Sequence, residues 1–149
     1  MKVLFVCSSG GHLTQLYLLR PWWQGHQRAW VTFNDPQSRS LLQGERVWPA
    51  FAPTTRNVPN AIRNLGLAVH VLGAERPDVV ISDGAGVAFP FFLVARALGV
   101  PTAYLEVYDR IAMPTMTGRL CYPITSLFLL QWPEQARYYP RGQLIGCLL

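Results

Sequence analysis

The run Pro77-Asp78-Val79-Val80-Ile81-Ser82-Asp83-Gly84-Ala85-Gly86-Val87 decides how the rest of the chain is read. Val79 to Ser82 is a short, unbroken β-branched stretch, as expected of a strand buried on both faces of a parallel sheet. Asp83-Gly84-Ala85-Gly86 interrupts it with residues that tolerate tight turns. An apolar segment then runs from about Val87 to Leu98, Gly99 stops it, and Thr102 to Leu105 begins a second strand. Strand, turn, helix, glycine and strand in this order make a βαβ unit, whose parallel strands require a right-handed crossover.

The same grammar recurs on both sides. Lys2 to Cys7 reads as a strand, Ser8-Ser9-Gly10-Gly11 breaks it, and Leu13, Leu16, Tyr17 and Leu19 recur at helical spacing up to Pro21. Arg28 to Phe33 reads as a second strand closed by Asn34-Asp35-Pro36, and Val47 to Phe51 as a third, shortened by Pro49. Between Pro59 and Ala74, Ile62, Leu65, Val69 and Leu72 mark one helical face, the stripe by which an amphipathic helix meets a core. Beyond Leu105, Ile111 to Tyr122 is mixed, Ser126 to Leu130 is strand-like and Pro133 to Tyr139 is a short helix. Gln143 to Leu149 is a last strand or a linker. The alternation specifies an open, doubly wound α/β fold in one domain, residues 1–149, with 140–149 available as an interface or linker toward a partner.

Composition narrows the function. At 149 residues, half of them apolar and 14% charged, the chain is neither a disordered tail nor a solvated helix, and its 12 Gly and 12 Pro follow no repeat. Thirteen basic residues against eight acidic ones give +5, and because Lys2 is the only lysine, the rest are arginines. Arginine binds phosphate through two parallel hydrogen bonds, so this excess suits a phosphorylated ligand or an anionic membrane surface. A basic run and a repeated aromatic–basic spacing are both missing, which sets nucleic acid aside. Cys7, Cys121 and Cys147 are odd in number and lack C-x-x-C spacing, so they give neither a disulfide framework nor a zinc site. The opening apolar run breaks at Ser8, too soon for a signal peptide, and the stretch Val87 to Ala95 is about half of a bilayer span. The expectation is a chain in a reducing compartment, able to lie on a membrane without crossing it.

Three turns carry candidate chemistry. Ser8-Ser9-Gly10-Gly11-His12 lies between the first strand and first helix, at the sheet edge where such folds bind ligands. It fails the dinucleotide fingerprint, because Ser8 and Leu13 stand where glycines belong. His12 falls in the helix's first turn, where the dipole lowers its pKa, so it reads as a base or a hydrogen-bonding group, or else as a plain cap. Asp83-Gly84-Ala85-Gly86 repeats the arrangement one βαβ later. Together Ser9, Gly10, Gly11, Asp83, Gly84 and Gly86 form two cradles between which a diphosphate fits, although an Asp at that position more simply caps its helix. Glu106 and Asp109 follow the strand ending at Leu105; Glu106 is placed for a base, and a salt bridge to Arg110 is the plainer alternative. Arg110 to Pro133 contains no acidic residue, and Arg110, Met113, Met116 and Arg119 suit anionic headgroups, with Trp22-Trp23 as an interfacial anchor. Core packing explains the aromatic pair equally well.

In order and spacing, Ser8-Ser9-Gly10-Gly11-His12-Leu13, Ser82-Asp83-Gly84-Ala85-Gly86 with Pro90, Leu98-Gly99-Val100-Pro101 and Tyr104-Leu105-Glu106 resemble one glycosyltransferase superfamily. The likeness is to its acceptor-side domain. The superfamily includes the N-acetylglucosaminyltransferase that completes lipid II and the membrane-recruiting subunit of the two-chain eukaryotic UDP-GlcNAc transferase. Gly118-Arg119-Leu120, Tyr122-Pro123 and Gln131-Trp132-Pro133-Glu134 are most similar to the bacterial PssD-like polysaccharide biosynthesis subunits. The resemblance implies a Rossmann-like domain equivalent to the N-terminal half of a GT-B enzyme. It further implies a separate donor-binding chain that brings the UDP-sugar, a polyprenyl-diphosphate-linked acceptor, and peripheral attachment at the cytoplasmic face of the plasma membrane. Gly10, Gly11, His12, Gly84 and Gly86 are then expected to face the acceptor diphosphate. Catalysis is expected from His12 or Glu106, by inversion, with no metal or other cofactor; no D-x-D sequence occurs. The remaining alternatives are a non-catalytic scaffold that recruits the donor subunit to the membrane, and a stand-alone nucleotide-binding protein.

Overall fold

In the computed structural model, which describes residues 1–148, the chain forms one seven-stranded parallel sheet in the order β3-β2-β1-β4-β5-β6-β7. The strands are β1 (Lys2–Val6), β2 (Gln27–Thr32), β3 (Val47–Pro49), β4 (Val79–Ser82), β5 (Thr102–Leu105), β6 (Leu127–Leu130) and β7 (Gln143–Leu144). The helices are α1 (Gly11–Tyr17), α2 (Arg20–Trp23), α3 (Pro36–Leu41), α4 (Val58–Glu75), α5 (Ala88–Ala97) and α6 (Met116–Cys121). Short 3₁₀ turns occupy Tyr122–Ile124 and Pro133–Arg137. The doubly wound fold expected from the sequence is therefore present, and the unit read first, β4–α5–β5, lies at its centre. Leu149, the end of the expected last segment, lies outside the described residues.

Strand residues alternate between two cores. Leu4, Val6, Ala29, Val31 and Val80 face α4 and α5, packing with Ala68, Val71, Phe91, Phe92 and Ala95. Val3, Phe5, Trp30, Ile81 and Ala103 face the opposite way, toward Leu13, Leu16 and Trp23 of α1 and α2. There Phe5 stacks on Trp30 at 4.3 Å between centroids, with Trp23 edge-on to Trp30 at 5.6 Å. Each such aromatic contact is worth about 0.5–1.5 kcal/mol beyond the area it buries.

The amino edge of the sheet is fastened by charge. Glu75, at the end of α4 and with a side chain 1% exposed, pairs with Lys2 of β1 at 2.7 Å, with Arg46, and with the Trp48 indole N–H at 2.7 Å. Burial opposes its ionisation, yet these donors outweigh that and hold its pKa at about 2. The carboxyl edge is the opposite case. Strand order reverses between β1 and β4, which run side by side with Val6 opposite Ser82, so the turns leaving them diverge from one crevice. In open α/β sheets this switch point is where ligands bind.

One expected surface is turned the other way. Ile62, Leu65 and Val69 of α4 are exposed, whereas Asn60 and Asn64 are buried along with Ala68, Val71 and Leu72. The asparagines explain the roll of the helix. Asn64 accepts from Phe51 N and donates to Phe51 O, at 3.0 and 3.1 Å, and Asn60 donates to Pro53 O at 2.8 Å. Facing them inward satisfies the backbone of the 51–57 loop, at the cost of leaving an apolar stripe in water.

Candidate functional site

A cavity of about 980 Å³ opens at the crevice. Its walls are Ser8, Ser9 and His12 from the first turn, Ala85 and Gly86 from the second, Thr54 and Arg56 from the loop ahead of α4, Val58 at the start of α4, and Arg110, Met116 and Leu120 from the segment around α6. The volume suits a small-molecule or headgroup ligand. Both turns thus border one space. The helices that start from them, α1 and α5, carry no side-chain cap, whereas Asp35, Asn57 and Thr115 cap α3, α4 and α6.

The glycines serve the cavity differently from the expectation. Gly10 is in the left-handed region, φ +82°, but its N–H donates to Gln37 Oε1 at 2.5 Å and so is not free to hold an anion. A Cβ on Gly11 would meet nothing within 4 Å. At Gly84, φ +119°, a Cβ would sit 2.7 Å from Tyr104 Oη and 3.3 Å from His12 Cε1, so this glycine makes room first for the Tyr104 hydroxyl and then for the histidine beside it. A Cβ at Gly86 would lie 2.8 Å from Thr54 O, which makes that glycine the seat of the Arg56 loop.

Under the cavity floor lies a carboxylate. Asp83 is fully buried and does not cap α5; its Oδ2 accepts from Gln15 Nε2 at 3.0 Å. Its Oδ1 makes no hydrogen bond and faces His12 Nδ1 at 3.4 Å, while Asp83 O lies 3.1 Å from the same nitrogen. Both neighbours of Nδ1 are acceptors, so Nδ1 must carry a hydrogen. In the neutral ring Nε2 then holds the lone pair. Burial opposes protonation of His12, but the Asp83 carboxylate outweighs it and raises the pKa. The lowering expected from the helix dipole is therefore reversed. Burial also pushes Asp83 up, to about 6, with His12 as the main opposing influence.

Glu106 is not at the cavity wall. It is fully buried, with Oε1 accepting from Val107 N at 3.0 Å and Oε2 from the Tyr139 hydroxyl at 2.5 Å; Thr115 Oγ1 lies 3.2 and 3.3 Å from the two oxygens. Burial and this carboxylate raise the Tyr139 pKa. A Cβ on Gly118 would lie 2.5 Å from Tyr139 Oη and 2.6 Å from Glu106 Oε2, so Gly118 leaves room for the cluster. These contacts tie the start of α6 to the strand edge, and they set the carboxylate expected to serve as a base behind the cavity wall. No salt bridge joins Glu106 or Asp109 to Arg110 among the described residues.

The expected membrane residues divide. Trp23 is 2% exposed and its indole N–H donates to Leu16 O, so it belongs to the core and not to a surface anchor. Trp22 is exposed, but it borders an apolar cavity of about 320 Å³ against β4, β5 and β6, on the α1–α2 face of the sheet. Met113, Met116, Arg110 and Arg119 are exposed and belong to the segment around α6, which packs on the other face. They do not form one patch with Trp22. Arg56, which sequence reasoning missed, borders the cavity in the left-handed region at φ +48°. Such a backbone costs about 1–3 kcal/mol for a residue with a Cβ and persists where its surroundings fix it. Asn60 and Asn64, buried on α4, were the available signal. No group of three or more His, Cys, Asp and Glu side chains converges as a metal site among the described residues.

Known proteins share this frame. Over 117 residues the chain is 26% identical to the human UDP-N-acetylglucosamine transferase subunit ALG14, covering 74% of this chain and 50% of that protein. Over 89 residues it is 34% identical to the UDP-N-acetylglucosamine--N-acetylmuramyl-(pentapeptide) pyrophosphoryl-undecaprenol N-acetylglucosamine transferase of Moorella thermoacetica, covering 58% of this chain and 23% of that one. The crystal structure of Acinetobacter baumannii MurG superposes with a TM-score of 0.73 at 19% identity, over 90% of this chain and 43% of MurG. The fold is thus the Rossmann-like half of a GT-B architecture, and the chain spans about half the length, or less, of the first curated relatives it matches. Residues 51–148, about two-thirds of the sequence and including the Arg56 loop, the second turn and the Glu106 cluster, match the family model described as "Oligosaccharide biosynthesis protein Alg14 like", and the chain belongs to that family.

Proposed function

We propose that this chain is the acceptor-binding, membrane-associating subunit of a two-chain glycosyltransferase, with a separate chain binding the UDP-sugar. The acceptor is a saccharide on a polyprenyl diphosphate, and the bacterial, PssD-like version of the reading places the product in exopolysaccharide or capsule synthesis. The observation that carries the reading is His12, on the wall of a cavity flanked by two arginines and backed by the buried Asp83 carboxylate. An acceptor hydroxyl at Nε2 loses its proton to His12 as its oxygen bonds to the sugar's anomeric carbon. The bond to UDP breaks on the opposite side, and the configuration inverts. The imidazolium formed is held by Asp83 until the proton returns to solvent. Arg56 and Arg110 are placed to hold the acceptor diphosphate, and the donor chain supplies contacts to the departing UDP.

Membrane association is assigned to the face bearing α4 and α6. Val58 (69%), Ile62 (65%), Val69 (59%) and Met116 (70%) are exposed there. Residues 46–74 and 110–133 hold no acidic side chain, whereas Arg56, Arg63, Arg110 and Arg119 fall within them. No helix among the described residues is long and apolar enough to cross a membrane. In this reading the exposed apolar and arginine side chains make a surface contact with anionic headgroups, on the cytoplasmic face where the UDP-sugar is available.

The test is reconstitution with the donor chain, a panel of UDP-sugars and a polyprenyl-diphosphate saccharide. Transfer should need both chains, and His12→Ala should lower kcat by about 10²–10⁴-fold, the usual contribution of a general base. Full activity of the His12→Ala complex, with assembly intact, would leave the chain a recruiting scaffold.

A further inference from the structure

Two buried glutamines lie behind the catalytic pair. Gln15 of α1 and Gln131, which follows β6, are each 1% exposed and meet across 116 positions of sequence. Gln131 Oε1 accepts from Leu148 N at 3.0 Å, and Gln131 Nε2 donates to Gln15 Oε1 at 2.7 Å and to Glu106 O at 3.0 Å. Gln15 Nε2 in turn donates to Asp83 Oδ2 at 3.0 Å. The polarity of this chain is fixed from both ends. A backbone N–H only donates and a carboxylate only accepts, so flipping either amide sets like groups against each other.

The placement is costly for mere filling. Gln15 sits between Leu13 and Leu16, which pack into the apolar core, and burying an amide there is tolerated only with its partners in place. From Leu148 N through Gln131 and Gln15, each bond of the relay donates toward Asp83, while the second N–H of Gln131 is held by Glu106 O. The last bond holds one carboxylate oxygen, so that the other remains turned to His12 Nδ1.

We infer that Gln15, oriented by Gln131, is a positioning residue that fixes the Asp83 carboxylate and through it the tautomer of His12. This deepens the reading of His12 as a base and rests on it. The other titratable groups around the pair are Cys7, Tyr104 and Asp109; burial keeps the Cys7 thiol and the Tyr104 hydroxyl protonated. Asp109, which is exposed, favours the imidazolium in wild type and variants alike.

The experiment is ¹⁵N NMR of the full chain labelled at histidine, reading the tautomer and titration midpoint of His12, with His12→Gln to assign its signals against His26 and His70. The wild-type ring should be the Nδ1–H tautomer. In Gln15→Leu, Asp83 loses its fixed donor, its neutral acid is favoured, and the His12 midpoint should fall, with Nε2–H appearing. Gln131→Met is a second variant of similar size that removes the orienting amide without adding charge. Without the amide, Gln15 Oε1 loses the donor that orients it, Gln15 no longer holds Asp83 in one setting, and the same fall should follow. Folded variants with a wild-type His12 tautomer and midpoint, whatever their loss of melting temperature, overturn the inference. Because no sugar is transferred in this measurement, it stands apart from the transferase test. Retained transferase activity in His12→Ala would refute the base while leaving the relay intact.

Discussion

Asp83→Asn probes the proposed role of the His12–Asp83 pair with almost no change of shape. The asparagine oxygen must stay on Gln15 Nε2, because Gln15 Oε1 is already taken by Gln131. Its NH₂ group therefore replaces Oδ1, the atom 3.4 Å from His12 Nδ1. Two N–H groups then face each other, and the ring relieves this by moving its hydrogen to Nε2, where it can no longer accept a proton. Asp83 O, 3.1 Å from Nδ1, opposes the switch with one neutral hydrogen bond, worth about 1 kcal/mol net. A minority of active tautomer survives, so kcat should fall about 10²–10³-fold, short of the ~10⁴ that the equivalent change costs a Ser-His-Asp triad. The pH profile adds an independent sign. A base works unprotonated, so the rate rises through the His12 midpoint, which Asp83 raises in the wild type. Removing that charge leaves burial dominant, and the acid limb should move to lower pH. The assay is the initial rate of transfer by the two-chain complex from pH 5 to 9. A variant within twofold of wild type, its acid limb unmoved, refutes the assignment.

Arg56→Ala should raise the acceptor KM about tenfold or more with kcat little changed, since a charge-assisted hydrogen bond contributes about 1.5–3 kcal/mol; steady-state kinetics with the diphosphate saccharide check this. Gly86→Ala should destabilise the fold by about 1–3 kcal/mol in urea unfolding, because its Cβ meets the Thr54 backbone and the loop has to shift. Glu75, with its pKa held at about 2 when folded against an ordinary 4.5, contributes stability that is present above pH 4.5 and lost as pH falls toward 2. Glu75→Gln should remove on the order of 2–3 kcal/mol of that acid dependence, read from urea midpoints between pH 6 and 2.5.

Sequence alone located the central βαβ unit because parallel strands buried on both faces read as unbroken apolar runs, and glycine turns punctuate them. It also brought Ser9, His12 and Gly86 to one crevice, since strand order follows from the connections. Side-chain aim was not legible. Asp83 and Glu106 both follow strands that end at the same edge, yet Asp83 faces a histidine while Glu106 is enclosed by Thr115 and Tyr139. That difference depends on residues far along the chain. Periodicity misplaced α4 because it counts apolar side chains, whereas Asn60 and Asn64 set the helix's roll by binding the backbone of a neighbouring loop. Trp22 and Trp23 were inseparable by composition, and only the turn of α2 sends one inward. Arg56 carried no motif; its position follows from the asparagine clamp and from Gly86.

The most direct measurement is amide and side-chain NMR perturbation of the full chain by a water-soluble, short-prenyl diphosphate saccharide, with the same saccharide lacking the diphosphate as control. Shifts confined to Ser9, His12, Arg56, Ala85, Gly86 and Arg110, and abolished without the diphosphate, are the predicted result. Shifts centred on the Trp22 face, or identical with the uncharged control, contradict a diphosphate site in the cavity that His12 lines.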